Sequence, residues 1–116
     1  MKDFNQITIT DDIMNERIAQ AKQYTLMILK EGPNRHIENV RNIIWEHGRR
    51  NFALRESGVL PIVCPVADGS DVCGIGIFTL SPEEVKKLYD EDPGVKQGVF
   101  VFEVHPCRGF PGSSLP

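Results

Sequence analysis

The chain has 116 residues, 41% of them apolar, with a formal net charge of −3 and a pI near 5.6. That length argues for one domain with a core of its own. The charge leaves no basic footprint for nucleic acid and no polybasic face for a membrane surface, so a small, uncharged or mildly polar molecule is the expected ligand.

Residues 1–9 read as a loose arm, too acidic and polar for a signal peptide. "TDDIMNERIAQAKQ" reads as a short helix capped by Thr10 or Asp11, with acidic residues in its first turn. "YTLMILK" (24–30) is a compact apolar run, the mark of a buried strand, and "EGPN" ends it in a turn. From His36 to about Ser57 the period becomes helical, and Gly58 stops the helix. "VLPIVCPV" (59–66) reads as a second strand, made short or placed at an edge by its prolines. "ADGSD" is a turn. "VCGIGIFTL" (72–80) is a third strand whose glycines suggest a bulge or close packing on the backbone.

"SPEE" (81–84) combines a capping serine, a proline at the first helical position and a glutamate able to close a capping box. That helix runs to about Asp90, and "DPGVKQG" breaks it. "VFVFEVHP" (99–106) alternates as a fourth strand. The expected organisation is an N-terminal arm and helix over 1–23, a domain over 24–106 and a Gly/Pro/Ser-rich tail over 107–116. No apolar run approaches the roughly 20 residues of a membrane span. Cys64, Cys73 and Cys107 are few, odd in number and widely spaced. They form neither a disulfide framework nor a zinc site, and reduced thiols in a cytoplasmic protein are expected.

After the first helix the order is β-α-β-β-α-β, the ferredoxin-like split βαβ pattern in an α+β fold. Two helices would cover one face of a four-stranded antiparallel sheet. "YTLMILK" and "VFVFEV" carry apolar residues on both alternations, so a second copy is expected to cover the other face as a homodimer.

One stripe of the long helix carries Ile37, Val40, Ile44, His47, Asn51 and Leu54. His47 and Asn51 interrupt an apolar line, and burying either without a partner costs about 1–3 kcal/mol. They imply either structural hydrogen bonds or a pocket, and a histidine there has the chemistry of a general base. Such a base needs an acceptor for its other ring nitrogen. Asp92 stands out among the carboxylates because Pro93 restricts it to extended conformations and so fixes where it points. The plainer reading of "DP" is a helix stop. A metal site built from His36, His47 and His105 has no supporting local spacing.

His47, "LRESGVL", "CPVADG", the glycine-containing third strand, "EDPGVKQGVF" and "FEVHP" together resemble the YCII-like family of dimeric α+β barrel proteins, from about Tyr24 to Pro106. The resemblance implies a ferredoxin-like subunit, a dimeric barrel, and a His–Asp pair with proline after the aspartate, carried here by His47, Asp92 and Pro93. Members that are understood eliminate hydrogen chloride from a chlorinated hydroxyhydroquinone. Their dyad takes a phenolic proton while an arginine and a serine steady the oxyanion. Arg41 matches that arginine, with Arg35 as an alternative, and Glu31 matches an acidic residue that would brace it. Ile75 stands where the serine is expected, and Asn51 where family members are usually apolar.

The expectation is thus a cofactor-independent, metal-free lyase or isomerase acting on a cyclic or aromatic hydroxylated molecule. His47 and Asp92 would be the base and its orienting group, with Arg41, Asn51 and Glu31 around the substrate. The alternative is a non-catalytic ligand-binding or accessory homodimer.

Overall fold

The computed structural model describes residues 2–116. In chain order they form α1 (Asp11–Ala19), β1 (Lys22–Glu31), α2 (Val40–Glu56), β2 (Ile62–Pro65), β3 (Val72–Phe78), α3 (Pro82–Asp90), α4 (Pro93–Lys96) and β4 (Phe100–Gly109), after a short 3-10 turn at Phe4–Gln6. The fold is α+β. One antiparallel sheet runs in the order β2-β3-β1-β4, with every pairing antiparallel.

Period-two alternation sorts β1 into two faces. Thr25, Met27 and Leu29 are buried, while Tyr24, Leu26, Ile28 and Lys30 are half-buried. The buried set lies opposite Phe78, Gly76 and Gly74 of β3 and opposite Pro106, Val104 and Phe102 of β4. Val85 and Tyr89 of α3, together with Leu60, Val99 and Phe100, complete the core on that side. Val40, Ile43, Ile44 and Leu54 of α2 pack against it. The other face presents Leu26, Ile28, Ile75 and Ile77, with Ile62 and Cys64 of β2 beside them. The prolines fall on the two edge strands, Pro65 in β2 and Pro106 in β4, where a missing ladder donor is tolerated.

Several boundaries differ from the sequence reading. α2 starts at Val40 rather than His36, because residues 33–36 form turns and Asn39 adopts a left-handed φ of 65°. Asparagine is among the few residues that enter that region readily. Ile37 therefore lies outside the helix and is exposed. β1 begins at Lys22 and β4 runs on to Gly109, so Lys22–Tyr24 pair with Cys107–Gly109. The divisions at 23/24 and 106/107 thus fall inside paired strands. "DPGVKQG" ends α3 but also holds the single turn α4. The register of β1 on β3 shifts between Leu29 and Lys30, and Leu60 packs over Gly76.

Two loops are stitched together beside the future site. Gly32 N–H donates to Val99 O (2.8 Å) and Asn34 N–H to Gly98 O (2.8 Å), while Asn34 Nδ2 donates to Gln97 O (2.9 Å). A side chain at Gly32 would collide with the Gly98 carbonyl, so this close approach requires glycine. α1 contributes nothing to the core, since none of its residues is buried. No helix among the described residues is long and apolar enough to cross a membrane.

Candidate active site

The end of α3 and the start of α4 deliver the carboxylate. Ser81 and Glu84 close a reciprocal capping box on α3 with Pro82 in its first turn, which fixes where that helix begins. One helix later, Asp92 sits between α3 and α4 at φ −69° and ψ 134°, the extended conformation that a following proline demands. Its Oδ2 accepts the N–H groups of Gly94 (2.9 Å) and Val95 (3.3 Å). A Cβ on Gly94 would stand 3.0 Å from that oxygen and 2.6 Å from Phe100 Cδ2. Glycine therefore lets the carboxylate fold onto its own backbone beneath the Phe100 ring.

α2 delivers the imidazole. His47 Nδ1 lies 2.9 Å from Asp92 Oδ2, with His47 6% and Asp92 0% exposed. Oδ2 already accepts two backbone donors, so it is an acceptor toward the ring as well, and the imidazole proton belongs on Nδ1. The ring packs on Phe100, centroids 4.6 Å apart. Arg50, one turn along α2, donates to Leu88 O and lies 3.9 Å from Asp92 Oδ1.

The remaining ring nitrogen is engaged too. Asn51 Nδ2 is 3.2 Å from His47 Nε2, and Tyr89 Oη donates to Asn51 Oδ1 at 2.9 Å. Tyr89 is fully buried. Burial, helped by the nearby Asp92 charge, pushes its phenol well above the usual tyrosine range, with Arg50 pulling weakly the other way.

In front of His47 and Asn51 opens a cavity of about 720 Å³, whose lining includes Glu31, Arg35, Phe100 and Cys73. Arg35 shares Phe100 with the histidine: its guanidinium carbon is 6.0 Å from the ring centroid. Arg35 Nε is buried without a hydrogen-bond partner among the described residues. Burial raises the Cys73 thiol above its ordinary value, opposed by the Arg35 charge and reinforced by Glu31 and Asp71.

Arg41 is elsewhere. It is exposed and lines a separate groove with Ile44, Trp45, Arg49 and Phe52. At about 100° per residue, six residues leave Arg41 roughly 120° around the helix from His47. Of Arg41 and Arg35, it is Arg35, which precedes α2, that lines the cavity, and Arg55 of α2 also stands in its wall. Glu31 lines the cavity too, but its basic neighbour is His36, with His36 Nε2 3.8 Å from Glu31 Oε1, and it braces neither arginine. Ile75 lies opposite Ile28 and Cys64 in the sheet and brings no hydroxyl. His105 pairs with Glu103 at 3.6 Å, away from His47. Among the described residues no three metal-ligating side chains gather.

Tyr89 and Arg50 were not singled out from the sequence. Arg50 was accessible to it, since it lies three residues from His47 and one turn apart on the helix. Tyr89 was not, because its role depends on how α3 docks beside α2. The arrangement can hold an imidazole in a defined orientation at the wall of a largely apolar cavity that a guanidinium also lines. Compared with known families and curated proteins, the chain matches no family model and no curated protein.

Proposed function

We propose that the chain is a small cofactor-independent enzyme of the YCII-like kind, a lyase or isomerase in which His47 takes a proton from a cyclic or aromatic hydroxylated substrate. The observation that carries this reading is the 2.9 Å contact between His47 Nδ1 and a fully buried Asp92 carboxylate at the wall of a cavity. A carboxylate on Nδ1 fixes the tautomer and steadies the imidazolium formed when Nε2 accepts a proton. Such a base is worth about 10²–10⁴-fold in rate. Arg35, rather than Arg41, faces the oxyanion left behind, and Asn51 adds an amide N–H beside it. No nucleophilic side chain hydrogen-bonds to His47 among the described residues, which favours elimination or isomerisation over acyl transfer.

The β-α-β-β-α-β core and the sheet order β2-β3-β1-β4 support a ferredoxin-like subunit. The half-buried apolar patch of Leu26, Ile28, Ile75 and Ile77 on the sheet face away from the core supports a homodimer built by packing two sheets. Three free cysteines fit a reducing, cytoplasmic setting.

The test is a panel of phenols, catechols and small enolisable lactones, scored for solvent-deuterium exchange and product formation. The enzyme reading expects turnover of at least one compound, lost by about 100-fold or more in His47→Ala with the fold intact. The rival reading, a non-catalytic ligand-binding dimer, is favoured by the hydrogen bond that already occupies Nε2. Binding without exchange, equal in parent and variant, would support it instead.

A further inference from the structure

We propose that Tyr89 is a positioning residue for His47, acting through Asn51 to keep the imidazole in its Nδ1–H tautomer and to cap Nε2 until a ligand bearing its own hydrogen-bond donor displaces the amide. The proposal rests on reading His47 as the group that meets the ligand, and it adds which ligands can reach it.

Three hydrogen bonds in series carry it. Tyr89 Oη donates to Asn51 Oδ1 (2.9 Å), which turns the amide so that Nδ2 faces His47 Nε2 (3.2 Å), while Nδ1 faces Asp92 (2.9 Å). A phenol is a single O–H donor whose proton must find an acceptor when buried. Were Asn51 flipped, its Oδ1 would face Nε2 and would need a proton there. The ring would then carry protons on both nitrogens, and the Tyr89 proton would lose its acceptor. The series therefore selects one amide orientation and one tautomer. Burial keeps the phenol protonated, so it remains a donor.

The two ends of the series differ in freedom. Tyr89 is wedged between Phe78, edge-on at 5.8 Å, and Phe102 at 5.5 Å, and has no exposed surface. Asn51 is half-buried and lines the cavity. The amide can swing into the cavity while the phenol cannot follow. The amide N–H stands where a ligand donor would have to stand. A phenolic or enolic hydroxyl, more acidic than an amide, makes the stronger hydrogen bond to the imidazole and displaces it. An ether or ester of the same shape has no proton to offer and leaves the cap in place. The charged groups around the ring are Asp92 and Arg50 behind it and Arg35, Glu31, Arg55 and Asp68 around the cavity. None of these supplies a neutral donor to Nε2.

The experiment uses full-length protein with ¹⁵N-labelled histidine, titrated with phenol and with anisole, its methyl ether. The native His47 spectrum should show a protonated Nδ1 and a hydrogen-bonded, unprotonated Nε2. Phenol should shift the Nε2 resonance and anisole should not. Asn51→Ala and Tyr89→Phe should each move that resonance toward an unbonded nitrogen. Phenol should then bind about 3–10-fold more tightly to Asn51→Ala, the range expected when one competing hydrogen bond is removed. Asn51→Asp, whose side chain only accepts, should instead place a proton on Nε2.

A native Nε2 that is protonated, or one whose resonance is unchanged in either Asn51→Ala or Tyr89→Phe, overturns the proposal. Should Tyr89→Phe fail to fold, Asn51→Ala and Asn51→Asp, at a half-buried position in the cavity wall, decide it alone. Turnover is not read here. A cap that behaves as described in a protein that catalyses nothing would sink only the enzymatic reading. A His47-dependent reaction with a silent Asn51→Ala spectrum would sink only this one.

Discussion

Asp92 and Tyr89 show how much of this site depends on single buried polar atoms. Asp92 Oδ2 gathers His47 and two backbone donors, so its loss would leave three groups short of an acceptor. Tyr89 has a consequence for stability. Its phenol pKa is raised in the folded state by burial, so the folded chain holds that proton more tightly than the unfolded chain does. The contribution is fully present below the unfolded tyrosine pKa of about 10 and is lost as pH rises above it. Urea unfolding should therefore show stability falling as pH rises above about 10, and Tyr89→Phe should flatten that fall. Identical slopes in the two proteins would remove Tyr89 as its source.

At the scale of elements, the capping box is what ties local sequence to the site. Ser81 and Glu84 fix the first turn of α3, and the far end of α3 sets Tyr89 and Asp92. Ser81→Ala should cost about 1 kcal/mol, read as a lower urea midpoint. An unchanged midpoint would mean that packing of Val85 and Tyr89 alone holds the helix. This part was legible in the sequence because serine, proline and glutamate act within four residues. The polar interruption at His47 and Asn51 was legible too, because helical periodicity places both on the buried stripe whatever the tertiary context. Arg35 and Arg41 were not separable on those grounds. Which arginine enters the cavity depends on where α2 begins, and that is set by left-handed Asn39 and the stitched Gly32–Gly98 loops. Tyr89 was out of reach for a similar reason: its partner is 38 residues away, and nothing local foretells their meeting.

The whole molecule is longer than its residue count suggests. Its radius of gyration is 17.0 Å, against about 13 Å for a compact domain of this length. Phe4 in the arm is 80% exposed and Leu115 in the tail 68%, and Leu115 also lines the cavity beside His47. α2, α3 and α4 gather on one face of the sheet and leave half-buried Leu26, Ile28, Ile75 and Ile77 on the other, flanked by His105 and Glu103 of β4. An apolar patch of this kind with a charged border is the pattern of a surface that pairs with another. Light scattering on the purified chain should give a dimer, and Ile28→Lys should shift it to monomer while circular dichroism stays native. A parent chain that is monomeric at all concentrations would contradict the proposed pairing.

The central claim is that His47 and Asp92 act as one base. Its most direct test is a double-variant cycle on whichever compound of the phenol and lactone panel the protein turns over. Groups that act as a unit are strongly non-additive. Asp92→Asn should lower kcat/KM by about 10²–10⁴-fold, and His47→Ala by at least as much. Asp92→Asn combined with His47→Ala should then fall no further than His47→Ala alone. A His47→Ala protein that keeps the parent rate, or losses that simply multiply in the double variant, would contradict the claim.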